Sequence, residues 1–159
     1  IPTWYARATD AESADLAGDP IPTSMAEGRV WLQRHQSRFR AGVAIRWAIV
    51  LPAQNESIGT VGLAVTSREH RVGELGIVVG RAHWSKGFGT AAAQLALSYG
   101  LSELRLQEVQ AEVLQRNLAS VHLLEKLNFY RVRSIPASES PDGEALFHYS
   151  LRAVAASAA

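Results

Sequence analysis

The chain has 159 residues, 47% apolar and 19% charged, the make-up of an ordinary globular domain long enough to bury a core. Its 16 Lys and Arg balance 15 Asp and Glu, so charge argues neither for nucleic acid nor for an anionic membrane as partner. It has no cysteine, which excludes disulfides, a thiolate nucleophile and Cys-ligated metal and fits a cytoplasmic protein. No apolar run approaches the roughly 20 residues that span a bilayer. No repeat or composition shift divides the chain, so residues 1–159 read as one domain. The sequence opens on Ile1-Pro2 rather than on methionine, without a signal-peptide pattern, and the expectation is that elements are missing at that end.

Taken in order, Thr9-Asp10-Ala11-Glu12 has the spacing of a capping box and predicts a short helix to about Leu16, broken by Asp19-Pro20 and Ile21-Pro22. Ser24-Met25-Ala26-Glu27 is a second capping box, leading a helix through Gln36 with Val30, Trp31 and Arg34 at 3–4 spacing. Gly28 weakens that helix slightly. From Ala44 the period changes to that of strands. Ala44–Leu51 and Ser57–Thr66 are β-rich runs joined by Pro-Ala-Gln-Asn-Glu, and Val72–Val79 follows a polar turn, giving an antiparallel meander. Gly73 and Gly76 inside the third run predict a bulge or a splayed edge.

A helix then begins at Gly87-Phe88-Gly89, with Phe88, Ala92, Leu95 and Tyr99 on one apolar stripe and Leu97, Leu101 and Leu104 beside it. Gln107–Leu114 reads as a strand, and Asn117 as the cap of a helix carrying Val121, Leu124 and Leu127. Asn128 suits the left-handed end of that helix. Phe129–Ile135 and Ala145–Arg152 read as strands around the polar loop Pro136–Gly143, and residues 153–159 as a fraying tail.

A strand delivering the chain to a glycine-opened helix N-terminus is a device for holding phosphate, because the first amides of the helix lack partners and the macrodipole adds positive charge. On its own the Gly87-Phe88-Gly89 turn reads first as a tight connection and second as such a site. It is neither a P-loop nor the dinucleotide fingerprint. The five histidines lack metal-ligand spacing, and no serine sits in a nucleophile elbow. Arg116, Lys126, Arg131 and Arg133 read as a solvated face, with contact to a ligand phosphate second.

Two motifs together are more specific than either alone. The first is Gly76-Ile77-Val78-Val79 followed by Trp84-Ser85-Lys86-Gly87-Phe88-Gly89-Thr90. The second is Asn117-Leu118-Ala119-Ser120 running on to Leu124-Glu125-Lys126-Leu127-Asn128-Phe129. On these, Ala44 to about Leu151 resembles the GNAT superfamily of acyl-CoA-dependent N-acyltransferases. The closest likeness is to the branch of ribosomal-protein N-terminal acetylases and related antibiotic acetyltransferases. The resemblance implies an α/β fold, a mixed and mostly antiparallel sheet with helices on both faces. The family's usual first strand is absent from this sequence, and residues 1–43 match only loosely.

The resemblance further implies acetyl-CoA as co-substrate, no metal, and acetyl transfer to a primary amine, either a protein N-terminus or a small molecule. Ile77, Val78 and Val79 would pair with the pantetheine arm, and the amide near Val79 would polarise the thioester carbonyl. The amides of Lys86, Gly87, Phe88, Gly89 and Thr90, with Trp84 and Ser85 leading into them, would cradle the pyrophosphate. Asn117 and Ser120 would lie beside the pantetheine and the leaving sulfur, and Lys126 would reach a phosphate. Trp84 replaces the arginine or glutamine common at the head of this turn. Leu124 replaces the tyrosine that often serves as general acid, which passes that role to Ser120 or to water. Glu74 is the candidate base or else a cross-strand surface carboxylate, with Glu69 and His70 behind it. Trp31, Trp47 and Trp84 line either an acceptor pocket or the apolar core and rim. Two other readings stand beside acetyl transfer. One is another acyl-CoA such as succinyl-CoA, marked by basic side chains facing the acyl pocket. The other is a catalytically weak CoA-binding regulatory module. No nucleic-acid or membrane partner is expected, and the chain would act as monomer or homodimer.

Overall fold

The computed structural model describes residues 1–53 and 55–153. Three helices lead the chain: α1 (Pro2–Ala8), α2 (Ala11–Ala17) and α3 (Met25–Arg40). The meander follows as β1 (Ala44–Leu51), β2 (Glu56–Ser67) and β3 (Val72–Val79). Then come α4 (Phe88–Ser102), β4 (Glu108–Leu114), α5 (Leu118–Lys126), β5 (Tyr130–Ile135) and β6 (Leu146–Arg152). One six-stranded sheet has the order β1-β2-β3-β4-β6-β5, antiparallel at every junction except β3–β4. No helix among the described residues is long and apolar enough to cross a membrane. The expected fraying of the tail falls on residues 154–159, outside the described residues.

Strand register divides the side chains of the meander into two faces. Ile45, Trp47, Val61, Leu63, Leu75 and Ile77 face α4 and α5 and, with Val109, Ala111, Val113, Val121, Leu124 and Tyr149, make the core. The Tyr149 hydroxyl, buried among these, donates to Glu125 Oε1 at 3.0 Å. The opposite face carries Arg46, Thr60, Gly62, Glu74, Gly76 and Val78, and is covered by α1, α2 and α3.

Local physics accounts for the departures from the sequence reading. The unexpected α1 starts with a proline at its first position, where no amide is needed. In α2 the cap is Asp10, not Thr9; its side chain accepts from the Ser13 amide at 2.9 Å. Ser24 makes no capping bond. Glu27 instead reaches back to the amide and hydroxyl of Thr23, at 2.8 and 2.7 Å. α3 runs four residues past Gln36, ending in Arg38 and Arg40, cations suited to a helix C-terminus. Gly28 is where Trp4 of α1 sits: a Cβ there would meet the indole at 2.8 Å.

The expected stripe on α4 is wrong by part of a turn. Leu95 and Tyr99 face outward, Leu95 75% exposed, while Ala92, Ala93, Ala96, Leu97 and Gly100 are buried. Small helix residues let the sheet's large ones approach closely. The bulge also lies elsewhere: the register shifts at Val65/Ser67 of β2, opposite the start of β3. Gly73 clears space for Leu106 and Gly76 for Arg46.

Candidate active site

The parallel junction of β3 and β4 is short. Val72 to Glu74 pair with Glu108 to Gln110, and beyond them the strands separate. β2 still follows β3 to Val79, and β6 follows β4 to Leu114, so the two inner edges open as a V. The Gly80 amide donates to Ile58 at 2.8 Å, which turns the even-numbered backbone groups of β3 toward β2. By alternation the amides and carbonyls of Leu75, Ile77 and Val79 face the V. The expected splay is real, and it starts at Glu74.

The Val79 carbonyl is occupied: the Trp84 indole N–H donates to it at 2.7 Å. Trp84 thus pins the turn to the end of β3. The chain passes through a 3-10 turn at Arg81–His83, then through Ser85 and Gly87 in left-handed conformation, φ 59° and 82°. Gly87 is the N-cap of α4 and no side chain caps the helix. The first backbone bond of α4 runs from Ala91 to Gly87, leaving the amides of Gly87, Phe88, Gly89 and Thr90 as the helix's orphan donors. The two glycines differ in purpose. A Cβ on Gly87 would touch nothing within 4 Å, so its need is conformational; one on Gly89 would meet Leu123 of α5 at 3.1 Å, so its need is close packing. Lys86 folds back, its Nζ donating to the Ala82 carbonyl at 2.8 Å, and the Phe88 ring lies edge-on to His83.

α5 closes the other side. Asn117 Oδ1 accepts from the Ser120 amide at 3.1 Å, the expected cap, while its Nδ2 donates to Leu16 of α2 at 2.7 Å. Both ends of the Asn117 side chain are therefore committed to holding α2 against α5. Ser120, Leu123 and Lys126 succeed one another by one helical turn. They run from the V, which Ser120 and Leu123 line, past Gly89 toward the end of α5.

A cavity of about 1090 Å³ occupies the V and the space between the sheet and the N-terminal helices. Glu74, Ile77, Val78, Asn117, Ser120 and Leu124 line it; Val79, Lys126 and the turn from Trp84 to Thr90 lie outside it. Seven carboxylate residues and three arginines border it, a negative balance absent from the chain as a whole. Glu69 and His70 sit in the β2–β3 turn, exposed and 4.0 Å from each other, away from the cavity. Of the tryptophans, Trp31 lines the cavity beside Trp4 and His35. Trp47 packs on Tyr99 on the opposite face. Arg116 binds Asp15 at 2.9 Å and Glu144 at 2.6 Å, strapping α2 and the β5–β6 loop to the start of α5. Arg131 lies over the Phe147 ring.

An acetyltransferase (GNAT) domain model matches residues 1–130. The chain belongs to the GNAT acetyltransferase family. It is 33% identical to the uncharacterized N-acetyltransferase p20 of Bacillus licheniformis over 109 residues, 69% of this chain and 61% of that protein. It spans between about a third and six tenths of the length of the curated relatives it matches. Among solved structures, spermidine N-acetyltransferase from Vibrio cholerae in complex with CoA and spermine superposes with TM-score 0.80 at 20% identity, over 95% of this chain and 88% of that one. Ribosomal-protein-S5-alanine acetyltransferase from Vibrio fischeri gives 0.75 at 17%, over 93% and 88%. The GNAT fold expected from the two motifs is thus the fold observed.

Sequence reading missed the polar side chains on the cavity floor. Arg46 projects from the middle of β1 across Gly62 and Gly76, where a Cβ at either glycine would come within 3.2 Å of its guanidinium group. Burial lowers its pKa, as it does that of Arg7. Asp19 is shifted upward by burial, and His35 is pushed down to about 4 by burial and by Arg46, Arg38 and Arg34. The available signal was an arginine in a strand flanked, across the sheet, by two glycines in register.

Proposed function

We propose that this GNAT chain transfers an acetyl group from acetyl-CoA to a primary amine by direct attack in a ternary complex. The observation that carries this reading is the β3 edge beyond Glu74, where β4 has left and the amides of Ile77 and Val79 face the V, with the acid-rich cavity on its flank and the uncapped N-terminus of α4 beyond its end. An acyl-CoA fits those two features: an edge strand's free backbone groups for pantetheine amides, and four orphan helix amides for a pyrophosphate. Bound acetyl-CoA supplies the activated acyl carbon.

The residues of the chain do the rest. Val79 and Ile77 offer backbone groups to the pantetheine, and the Ile77 amide, the free edge amide nearer Glu74, stabilises the negative charge that develops on the thioester oxygen. The Gly87 to Thr90 amides hold the pyrophosphate, with Lys126 near its nucleotide end. Glu74, exposed at the apex of the V, takes the ammonium proton, directly or through a water, leaving the nitrogen lone pair free to form the new C–N bond as the C–S bond breaks. The second proton on nitrogen, released as the C–N bond forms, passes through the hydroxyl of Ser120, which lines the V at the start of α5, or through water to the leaving thiolate, so that CoA departs as the thiol. Leu124, buried beneath, has no proton to give. The negative balance of the cavity supports a cationic acceptor, and the spermine named in the Vibrio cholerae complex supports a small one.

Thiol release from acetyl-CoA against a panel of amines tests this. We expect turnover with at least one amine. Glu74→Gln should lower kcat by on the order of 100-fold with CoA affinity unchanged. CoA binding without turnover on any amine would favour the regulatory module, and an undiminished rate in Glu74→Gln would return Glu74 to the role of a surface carboxylate.

A further inference from the structure

Between α1, α2 and the covered face of the sheet lies a second chamber of about 60 Å³, which shares Trp31, Asp19, Arg46 and Val78 with the main cavity. One water needs about 10–15 Å³ in this measure, so the chamber takes a few waters or one carboxylate group. Its polar walls are short of partners. Arg7 Nη1 and Ser13 Oγ are buried with no hydrogen bond among the described residues. Arg46 Nη1 donates to Thr60 Oγ1 at 3.2 Å, and no carboxylate among the described residues lies within 4.0 Å of Arg46. Arg81, Arg116 and Arg152, by contrast, all hold acidic partners.

Two guanidinium groups and a hydroxyl therefore converge on a small space whose one lining carboxylate, Asp19, pairs with neither guanidinium within 4.0 Å. Confining cations in this way is costly unless an anion joins them. Asp19 and Glu74 attract Arg46 only at longer range, and after burial the Arg46 charge lowers the Arg7 pKa further. Gly62 and Gly76 keep the floor open so that the Arg46 side chain crosses two strands to reach β3.

We propose that the Arg7–Arg46 chamber is a carboxylate-binding site, so that one of the two substrates meeting at β3 carries a carboxylate. Placement favours the acceptor as its source. Glu74 and Gly76 share a face of β3 two residues apart, about 7 Å along a strand. An amine delivered to Glu74 thus has its carboxylate within reach of Arg46, which crosses Gly76. A dicarboxylic acyl group on the donor is the other source of the same chemistry. The kinetic consequence rests on the acetyl-transfer reading; the binding site does not.

Calorimetric titration of the intact chain with succinate and with its neutral analogue succinamide tests the site itself. Succinate should bind and succinamide should not, and Arg46→Gln should weaken succinate at least about tenfold, the loss of one charge-assisted pair. Asp19→Asn should tighten it by removing a like charge. The melting temperature of Arg46→Gln should equal or exceed that of the wild type, because an unpaired confined cation has been removed. Equal binding of the two probes, binding of neither, or a fall in melting temperature in both Arg46→Gln and Asp19→Asn would overturn the proposal, the last by making Asp19 the resident counterion. CoA titrated into the same variants should bind unchanged; failure of CoA to bind even the wild type would sink the acetyl-transfer reading while leaving the succinate result standing. Two substrate pairs then locate the source. Preference for β-alanine over ethylamine, with KM rather than kcat rising in Arg46→Gln, assigns the carboxylate to the acceptor. Preference for succinyl-CoA over acetyl-CoA on one amine assigns it to the donor, and discrimination by neither pair overturns the proposal.

Discussion

Single residues here do different work from what their type suggests. Trp84 stands where the resemblance implied a phosphate-facing head of the turn, yet its indole N–H caps the Val79 carbonyl. That bond occupies the last acceptor of the β3 edge and fixes where the turn leaves the strand. Trp84→Phe keeps an aromatic ring but loses the donor with part of the indole, and it should cost at least about 1 kcal/mol; urea unfolding reads this, and an unchanged midpoint would mean the bond contributes nothing. Asn117 is the reverse case. Its capping role was legible from sequence, because an Asn before an apolar helical run has few other uses, but its second bond to Leu16 was not. Arg46 was invisible for the same reason. Which residue an arginine meets across three strands depends on register, and register is set by long-range pairing.

Elements defined by backbone chemistry were easy to place. β1 and β3 match their expected bounds, since β-branched runs between polar turns leave little choice. α4 was placed correctly and oriented wrongly, because apolar periodicity weighs large residues while this interface seats small helix residues under Leu63, Leu75 and Ile77. α1 was missed because its start carries neither a polar cap nor an acidic first turn. The N-terminus of α4 is the element on which the proposed chemistry depends most, and Gly87 is the place to test it. Gly87→Asp sets a carboxylate among the orphan amides, at a φ of 82° that Asp tolerates better than most residues. CoA affinity should fall at least about tenfold, with the strain costing no more than about 1–2 kcal/mol of stability. Unaltered affinity measured by calorimetry would remove the pyrophosphate from this turn. Gly89 is the poorer probe, since any side chain there also displaces Leu123.

At the scale of the whole molecule, the sheet separates two chemistries. One face is a dry core under α4 and α5; the other is a wide cavity with carboxylates around it and arginines at its floor. His35 reports on the second. Burial and three arginines depress its pKa from 6.5 to about 4, so the fold favours neutral histidine. Its contribution to stability is complete above 6.5 and is lost as pH falls from there toward 4, because the unfolded chain takes up the proton first. The melting temperature should decline over that window, and His35→Gln should flatten the decline. A variant as pH-sensitive as the wild type would assign the loss to other groups.

The central claim is that acyl-CoA completes the open V between β3 and β4. Amide hydrogen exchange followed residue by residue, with and without CoA, tests it directly. CoA should slow exchange at Ile77 and Val79 and at Gly87 to Thr90, while leaving the amides of Gly76 and Val78, already bonded to β2, little changed. CoA that binds while those edge and helix amides exchange at their free rates would contradict the account.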